Sequence, residues 1–253
     1  MKGKVYIIGA GPGSYDLMTL KAERILKNAD VILYDELIGD DVKKFINSLN
    51  AIAINVGKRK GKHWADQSKI NELMVKFASE GKKVARVKGG DPFIFGRGGE
   101  EIEYLAENGI EFEIVPGITS AIAGPAYAGI PLTHRDYDSA VVILTGREAR
   151  QDGRLDWELL AKLKATLVIL MGVTVLEKIV ERLLKYGKDP NTPVAIVEKA
   201  TTDKQRVIVG KLSNIVEIAK KENVEPPAVI VIGDVVSIRE KTHKFLKFDE
   251  FQS

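Results

Sequence analysis

The chain has 253 residues, enough for one large domain or two modest ones, each with its own core. Hydrophobic residues at 45% and charged residues at 29% describe an ordinary soluble globular protein, and 38 basic against 35 acidic residues give no case for a dedicated nucleic-acid binder. The absence of cysteine excludes disulfides, thiolate zinc sites, iron–sulfur ligation and a cysteine nucleophile. His63, His134 and His243 show no metal-ligand spacing, so no metal site is expected. The N-terminus reaches Gly9, Gly11 and Gly13 after a short apolar run and does not read as a signal peptide. Apolar stretches such as Ala165 to Met171 are too short to span a bilayer. A cytoplasmic protein without a membrane partner is expected.

Strand-length apolar runs alternate with helical patterns, which predicts an α/β protein with mostly parallel sheets. Val5 to Ile8 is the first strand, ending in the turn Gly9-Ala-Gly-Pro-Gly13, and Leu17, Ala22, Ile25, Leu26 and Ala29 mark a helical face. Val31 to Leu33 delivers Tyr34 and Asp35 at its carboxyl end, and Ala51 to Val56 empties into the basic loop Gly57 to His63. Ile70, Leu73, Met74, Phe77 and Ala78 give an amphipathic helix stopped by Gly81. Val84 to Val87 leads into Lys88-Gly-Gly-Asp-Pro-Phe-Ile-Phe-Gly-Arg-Gly-Gly-Glu-Glu101, and Ile102, Leu105 and Ala106 carry the helix after it. Phe112 to Val115 closes this half. Further strands are expected at Ala140–Leu144, Thr166–Leu170, Val194–Val197, Arg206–Val209 and Ala228–Ile232, with a clear helix from Val175 to Leu184 stopped by Gly187. The hairpin-like stretch from Val194 to Val209 breaks the βα rhythm that a TIM barrel needs, so two α/β domains are expected, 1–115 and 116–253.

The stretch from Lys88 to Glu101 sits at a strand-to-helix turn and reads as a binding loop. Gly89, Gly90, Gly96 and Gly98 allow positive φ and close backbone approach. Pro92 fixes its own φ and pushes Asp91 toward an extended conformation. Gly9-Ala-Gly-Pro-Gly13 followed by Asp35 invites a dinucleotide reading, but Ser14 stands where G-x-G-x-x-G needs its third glycine. The loop from Gly57 to His63 lacks phosphate-loop spacing, and it reads equally as a solvated basic face or as a source of Lys58 at the cleft. Asp35 either faces the ligand crevice or caps the next turn, and His134 is either a ligand contact or a structural histidine.

Gly9 to Gly13, Tyr34-Asp35, Val56-Gly-Lys-Arg59, Gly89-Gly-Asp-Pro-Phe-Ile-Phe-Gly-Arg97, Val115-Pro-Gly-Ile-Thr-Ser120 and Pro131-Leu-Thr-His134 occur in one register. Together they resemble the tetrapyrrole methylases over nearly the whole chain, Val5 to about Val236, and within them the members that C-methylate uroporphyrinogen III. The resemblance implies an enzyme of two α/β domains with a ligand cleft between them, usually a homodimer, using S-adenosylmethionine and releasing S-adenosylhomocysteine. Carried over by motif position, it implies cofactor contacts at Pro12, Gly89, Gly90, Asp91, Ile94, Thr119, Ser120 and Met171. Ala200 is a weaker transfer, because members often have glycine near it. Asp35 would accept a proton and Lys58 would donate one. Arg59, Thr133 and His134 would meet the substrate, whose carboxylates would also suit Lys60, Lys62, Arg135 and Arg147. The implied reaction is two methyl transfers to uroporphyrinogen III giving precorrin-2, on the route to siroheme and cobalamin. Other readings within the resemblance are another precorrin methylase or diphthine synthase. Outside it stand an RNA ribose methylase and a dinucleotide oxidoreductase. Some members fuse this module to a dehydrogenase and ferrochelatase, and methylation alone is expected here.

Overall fold

The computed structural model describes residues 2–57, 67–150 and 153–247. The chain divides into two compact units, residues 1–120 and 121–253.

The first unit holds strands β1 (Lys4–Gly9), β2 (Val31–Tyr34), β3 (Ile52–Asn55), β4 (Val84–Lys88) and β5 (Glu111–Val115). They form one sheet in the order β3-β2-β4-β1-β5, with every pairing parallel. Its helices are α1 (Leu20–Leu26), α2 (Asp40–Asn47), α3 (Gln67–Ser79) and α4 (Gly98–Glu107). Because strand side chains alternate, the sheet has two apolar faces. Ile8, Ile32, Ala85 and Val87 pack with Ala22 and Leu26 of α1 and with Val42 and Ile46 of α2. Val5, Ile7, Val31, Leu33 and Val84 pack with Ile70, Met74 and Ala78 of α3 and with Leu105 of α4.

The chain leaves β1 toward β2 and leaves neighbouring β4 the opposite way, toward β5. The carboxyl ends of β1 and β4 therefore form a switch point, the place where open α/β sheets hold ligands.

The second unit contains β6 (Val141–Thr145), β7 (Thr166–Leu170), β8 (Pro193–Glu198), β9 (Arg206–Lys211) and β10 (Ala228–Ile232), in the order β6-β7-β10-β8-β9. Only β6 and β7 pair in parallel; β10 runs antiparallel to β7 and β8, and β8–β9 is the hairpin anticipated from its sequence. Helix α5 (Ser120–Tyr127) enters this unit, and α6 (Trp157–Lys162), α7 (Leu176–Lys185), α8 (Ile215–Lys221) and α9 (Ile238–Thr242) follow. Leu176, Ile179, Val180 and Leu183 form the buried stripe of α7, worth about 1.5–3 kcal/mol each on burial.

The helices depart from the sequence reading in two ways. The helical face expected from Leu17 to Ala29 is split: Leu17 lies in a 3₁₀ turn (Tyr15–Leu17), and Thr19 starts α1 afresh by accepting a hydrogen bond from Ala22 N at 3.2 Å. Helices α2, α5, α6, α8 and α9 lie outside those the pattern singles out, each at most eight residues long and so short of a full periodic signature. Among the described residues, no helix is long and apolar enough to cross a membrane.

Candidate active site

Three loops leave the carboxyl ends of β1, β4 and β5, and the first two join through backbone hydrogen bonds. Ala10 N donates to Lys88 O at 2.8 Å, Gly90 N to Gly11 O at 2.7 Å, and Gly11 N to Gly90 O at 3.2 Å. A Cβ on Gly9 would stand 2.5 Å from Gly90 O and 2.7 Å from Gly117 N, so the contact exists only without side chains. Gly90 alone of the expected glycines in the 89–98 loop takes positive φ, at 68°. Gly96 and Gly98 are needed for space instead, since a Cβ on either would meet Pro92 O at 2.6 Å. The left-handed positions fall to Phe95 and Arg97, at φ 54° and 60°, a strained choice for such side chains.

Asp91 is fixed more firmly than Pro92 alone would make it. Its Oδ1 accepts from Phe93 N at 2.8 Å and its Oδ2 from Gly117 N at 3.1 Å, tying the β4 loop to the β5 loop. Around this wall, Leu37, Phe93, Ile94, Phe95 and Ile118 each expose more than a third of their surface, a concentration of exposed apolar side chains at one end of the sheet. Thr119 is buried beside Gly90, and Ser120 opens α5.

Beneath the loops lies a charge cluster. Val84, Arg86 and Lys88 share one face of β4, and Leu33 and Asp35 share the same face of β2, so parity alone directs these charges toward α3 and α4. Arg86 Nη2 donates to Asp35 Oδ1 at 2.7 Å, while its Nε donates to Glu101 Oε1 at 3.0 Å. Lys88 Nζ donates to the same Glu101 oxygen at 2.9 Å and stands 3.9 Å from Asp35 Oδ2. Gln67 Nε2 adds a third donor to it at 3.1 Å. Glu101 is fully buried and Arg86 and Lys88 nearly so, whereas the Asp35 side chain keeps 28% of its surface. Burial lowers the Arg86 guanidinium, but Asp35 and Glu101 outweigh it and hold the group above its ordinary value. For Lys88, burial and then Arg86 prevail over both carboxylates, and its ammonium is pushed down.

In the second unit, Met171 follows β7, and Lys199, Ala200 and Thr201 follow β8. The register Leu170–Val229–Val197 puts both ends at the amino end of β10, one on each side of it. Met171, Lys199 and Thr201 all take positive φ, at 54°, 48° and 65°, so this end of the sheet concentrates backbone strain. Ala200 is buried against α5, where a Cβ on Gly124 would lie 3.3 Å from its own Cβ. Arg147 is exposed just past β6, at that same end.

Thr133 and His134 are placed elsewhere. His134 N donates to Asp138 O at 3.0 Å, its Nδ1 accepts from Asp136 N at 3.2 Å, and Tyr137 N donates back to its carbonyl at 3.2 Å. Thr166 Oγ1 reaches Asp138 Oδ2 at 3.3 Å, which sets this turn at the amino end of β7, opposite Met171. Thr133 and Arg135 are exposed. Lys58, Arg59, Lys60 and Lys62 lie outside the described residues. Among the described residues, no group of three or more His, Cys, Asp or Glu could hold a metal ion.

The family model of Tetrapyrrole (Corrin/Porphyrin) Methylases matches residues 4–216. The chain belongs to the tetrapyrrole methylases. This span of the tetrapyrrole methylase includes every candidate residue from Pro12 to Ala200 and the whole charge cluster. The S-adenosyl-L-methionine-dependent uroporphyrinogen III methyltransferase of Methanosarcina barkeri is 53% identical over 242 residues, covering 94% of each chain. The siroheme synthase of Pseudoalteromonas translucida is 47% identical over 244 residues; the match covers 96% of this tetrapyrrole methylase and about half, 51%, of that longer relative. A crystal structure of uroporphyrin-III C-methyl transferase from Thermus thermophilus complexed with S-adenyl homocysteine superposes with a TM-score of 0.78 at 38% identity, covering 93% and 94% of the two chains.

Sequence reasoning passed over Arg86, Lys88 and Glu101. The available signal was two cations on one face of a strand in a parallel sheet, which helices cover on both sides and where charge is kept only when paired.

Proposed function

We propose that this chain is an S-adenosylmethionine-dependent C-methyltransferase of uroporphyrinogen III, making two successive transfers to give precorrin-2. The observation that carries this reading is the likeness, over nearly the whole chain, to the Methanosarcina barkeri methyltransferase. The residues present fit the cofactor. Gly89 and Gly90 form a wall of bare backbone, Pro12 and Ile94 add apolar surface, and Thr119 and Ser120 carry hydroxyls of the kind that suits a ribose. Asp91 fits as the brace of that wall, its two oxygens already engaged by backbone N–H groups. Met171 and Ala200 are assigned to the cofactor by the resemblance. When bound, S-adenosylmethionine supplies an activated methyl on a sulfonium.

What the protein must add is alignment and removal of a proton. A porphyrinogen pyrrole is electron-rich, so placing it at near-attack distance is the main requirement. The methylated ring then gives up a proton, and Asp35 accepts it from its partly exposed position at the end of β2. Lys58 serves as donor. Arg59, Thr133 and His134, with Lys60, Lys62, Arg135 and Arg147, are the substrate-side candidates, assigned by the resemblance. The resemblance also supports a homodimer working in the cytoplasm without a nucleic-acid partner, and elution at twice the chain mass would agree with the dimer.

The test is anaerobic incubation with uroporphyrinogen III and methyl-labelled S-adenosylmethionine. A dimethylated chromophoric product is expected. Failure to label uroporphyrinogen III, with label passing to another precorrin, a protein or RNA, would overturn the assignment.

A further inference from the structure

Glu101 has no part in the reading above, yet it is the hub of the buried cluster. Arg86, Lys88 and Gln67 all donate to its Oε1, while Oε2 makes no hydrogen bond among the described residues. Two cations and two carboxylates share this space, and Asp35 is the one member that reaches the surface. Glu36, next in the chain, turns away to Lys43 at 3.3 Å and Asn55 at 2.6 Å. Removing four charges from water is costly, and well-packed apolar residues would fill the same volume with less penalty. What the cluster provides in return is direction: Arg86 can grip Asp35 Oδ1 with one arm because Glu101 holds the other.

We propose that Glu101 is a positioning residue that, through Arg86 and Lys88, aims Asp35 and sets the charge around it. The inference rests on the reading of Asp35 as proton acceptor. Among the described residues, Glu101 balances one cation, which leaves Asp35 facing one net positive charge. Replacing Glu101 by glutamine leaves two cations to Asp35 alone among the described residues, so a stronger positive field acts on the oxygens that must take the proton. The loop wall stays tied by the Gly11–Gly90 and Asp91–Gly117 bonds, so cofactor affinity is untouched.

The experiment is a double-mutant cycle with Asp35→Asn and Glu101→Gln, reading kcat, its pH profile and calorimetric affinity for S-adenosylmethionine. Glu101→Gln should slow kcat by about 10- to 100-fold, move the acid limb to lower pH, and leave cofactor affinity unchanged. The double variant should be no slower than Asp35→Asn, because both changes act through one group. Effects that multiply, or a loss of cofactor affinity matching the loss of kcat, would overturn the inference and leave a structural role. If Glu101→Gln fails to fold, Arg86→Met with Glu101→Gln removes one charge of each sign, and the same cycle is run on that pair. Wild-type turnover by Asp35→Asn alone would instead sink the proton-acceptor reading itself, an outcome distinct from multiplying effects.

Discussion

Where β1 and the edge strand β5 run side by side, Lys4 and Lys21 flank Glu113 at 2.7 and 2.6 Å, and all three side chains remain wet. At the carboxyl end of the same sheet, Arg86, Lys88 and Glu101 are withdrawn from water around Asp35. Both arrangements are carboxylates between cations, but solvent gives them different consequences. The Glu113 carboxyl is held down to about 2, first by Lys21 and then by Lys4, while water screens the energy of the contacts. In the buried cluster, each charge depends on the others to stay buried at all. The exposed triad can drift without consequence, whereas the buried one fixes geometry, and it stands at the switch point where ligands are held.

Breaking the buried network should therefore cost most. Arg86→Met leaves Asp35 and Glu101 short of a cation, and a loss of about 3–5 kcal/mol in denaturant unfolding is expected. A change as small as an ordinary surface substitution would show the cluster to be far better hydrated than its burial indicates. Gly117→Ala probes the loops above it, because the new Cβ would crowd Gly90 O and stand 2.7 Å from Gly9. A cost of about 1–3 kcal/mol is expected, together with weaker binding of S-adenosylmethionine in calorimetry; wild-type affinity would detach the loops from the cofactor. Glu113→Gln should cost no more than about 1 kcal/mol near neutral pH. A carboxyl depressed from 4.5 to about 2 contributes stability above its ordinary value and loses it as pH falls through that interval. The gap between variant and wild type should accordingly close on acidification toward 2, as followed by unfolding at stepped pH.

The comparison also explains what the sequence could disclose. Strands surfaced readily because Val31 to Leu33 and Thr166 to Leu170 are buried on both sides and read as unbroken apolar runs. The loop from Gly89 to Arg97 announced itself by composition, yet its glycines divide between conformation at Gly90 and space at Gly96 and Gly98, which only packing decides. Glu101 did not stand out, because nothing local says that Arg86 lies 3.0 Å away. His134 stood out as one of few histidines, and the hydrogen-bonded turn that holds it is not visible in the local pattern. Pairings across 13 to 53 residues are tertiary facts, and a linear reading reaches them only through parity on neighbouring strands.

The most direct measurement is anaerobic turnover of uroporphyrinogen III by Asp35→Asn beside the wild type, with cofactor affinity measured on the same preparations. Turnover should fall by about 10²- to 10⁴-fold while the Kd for S-adenosylmethionine stays unchanged. Dimethylation at the wild-type rate in that variant would contradict the account.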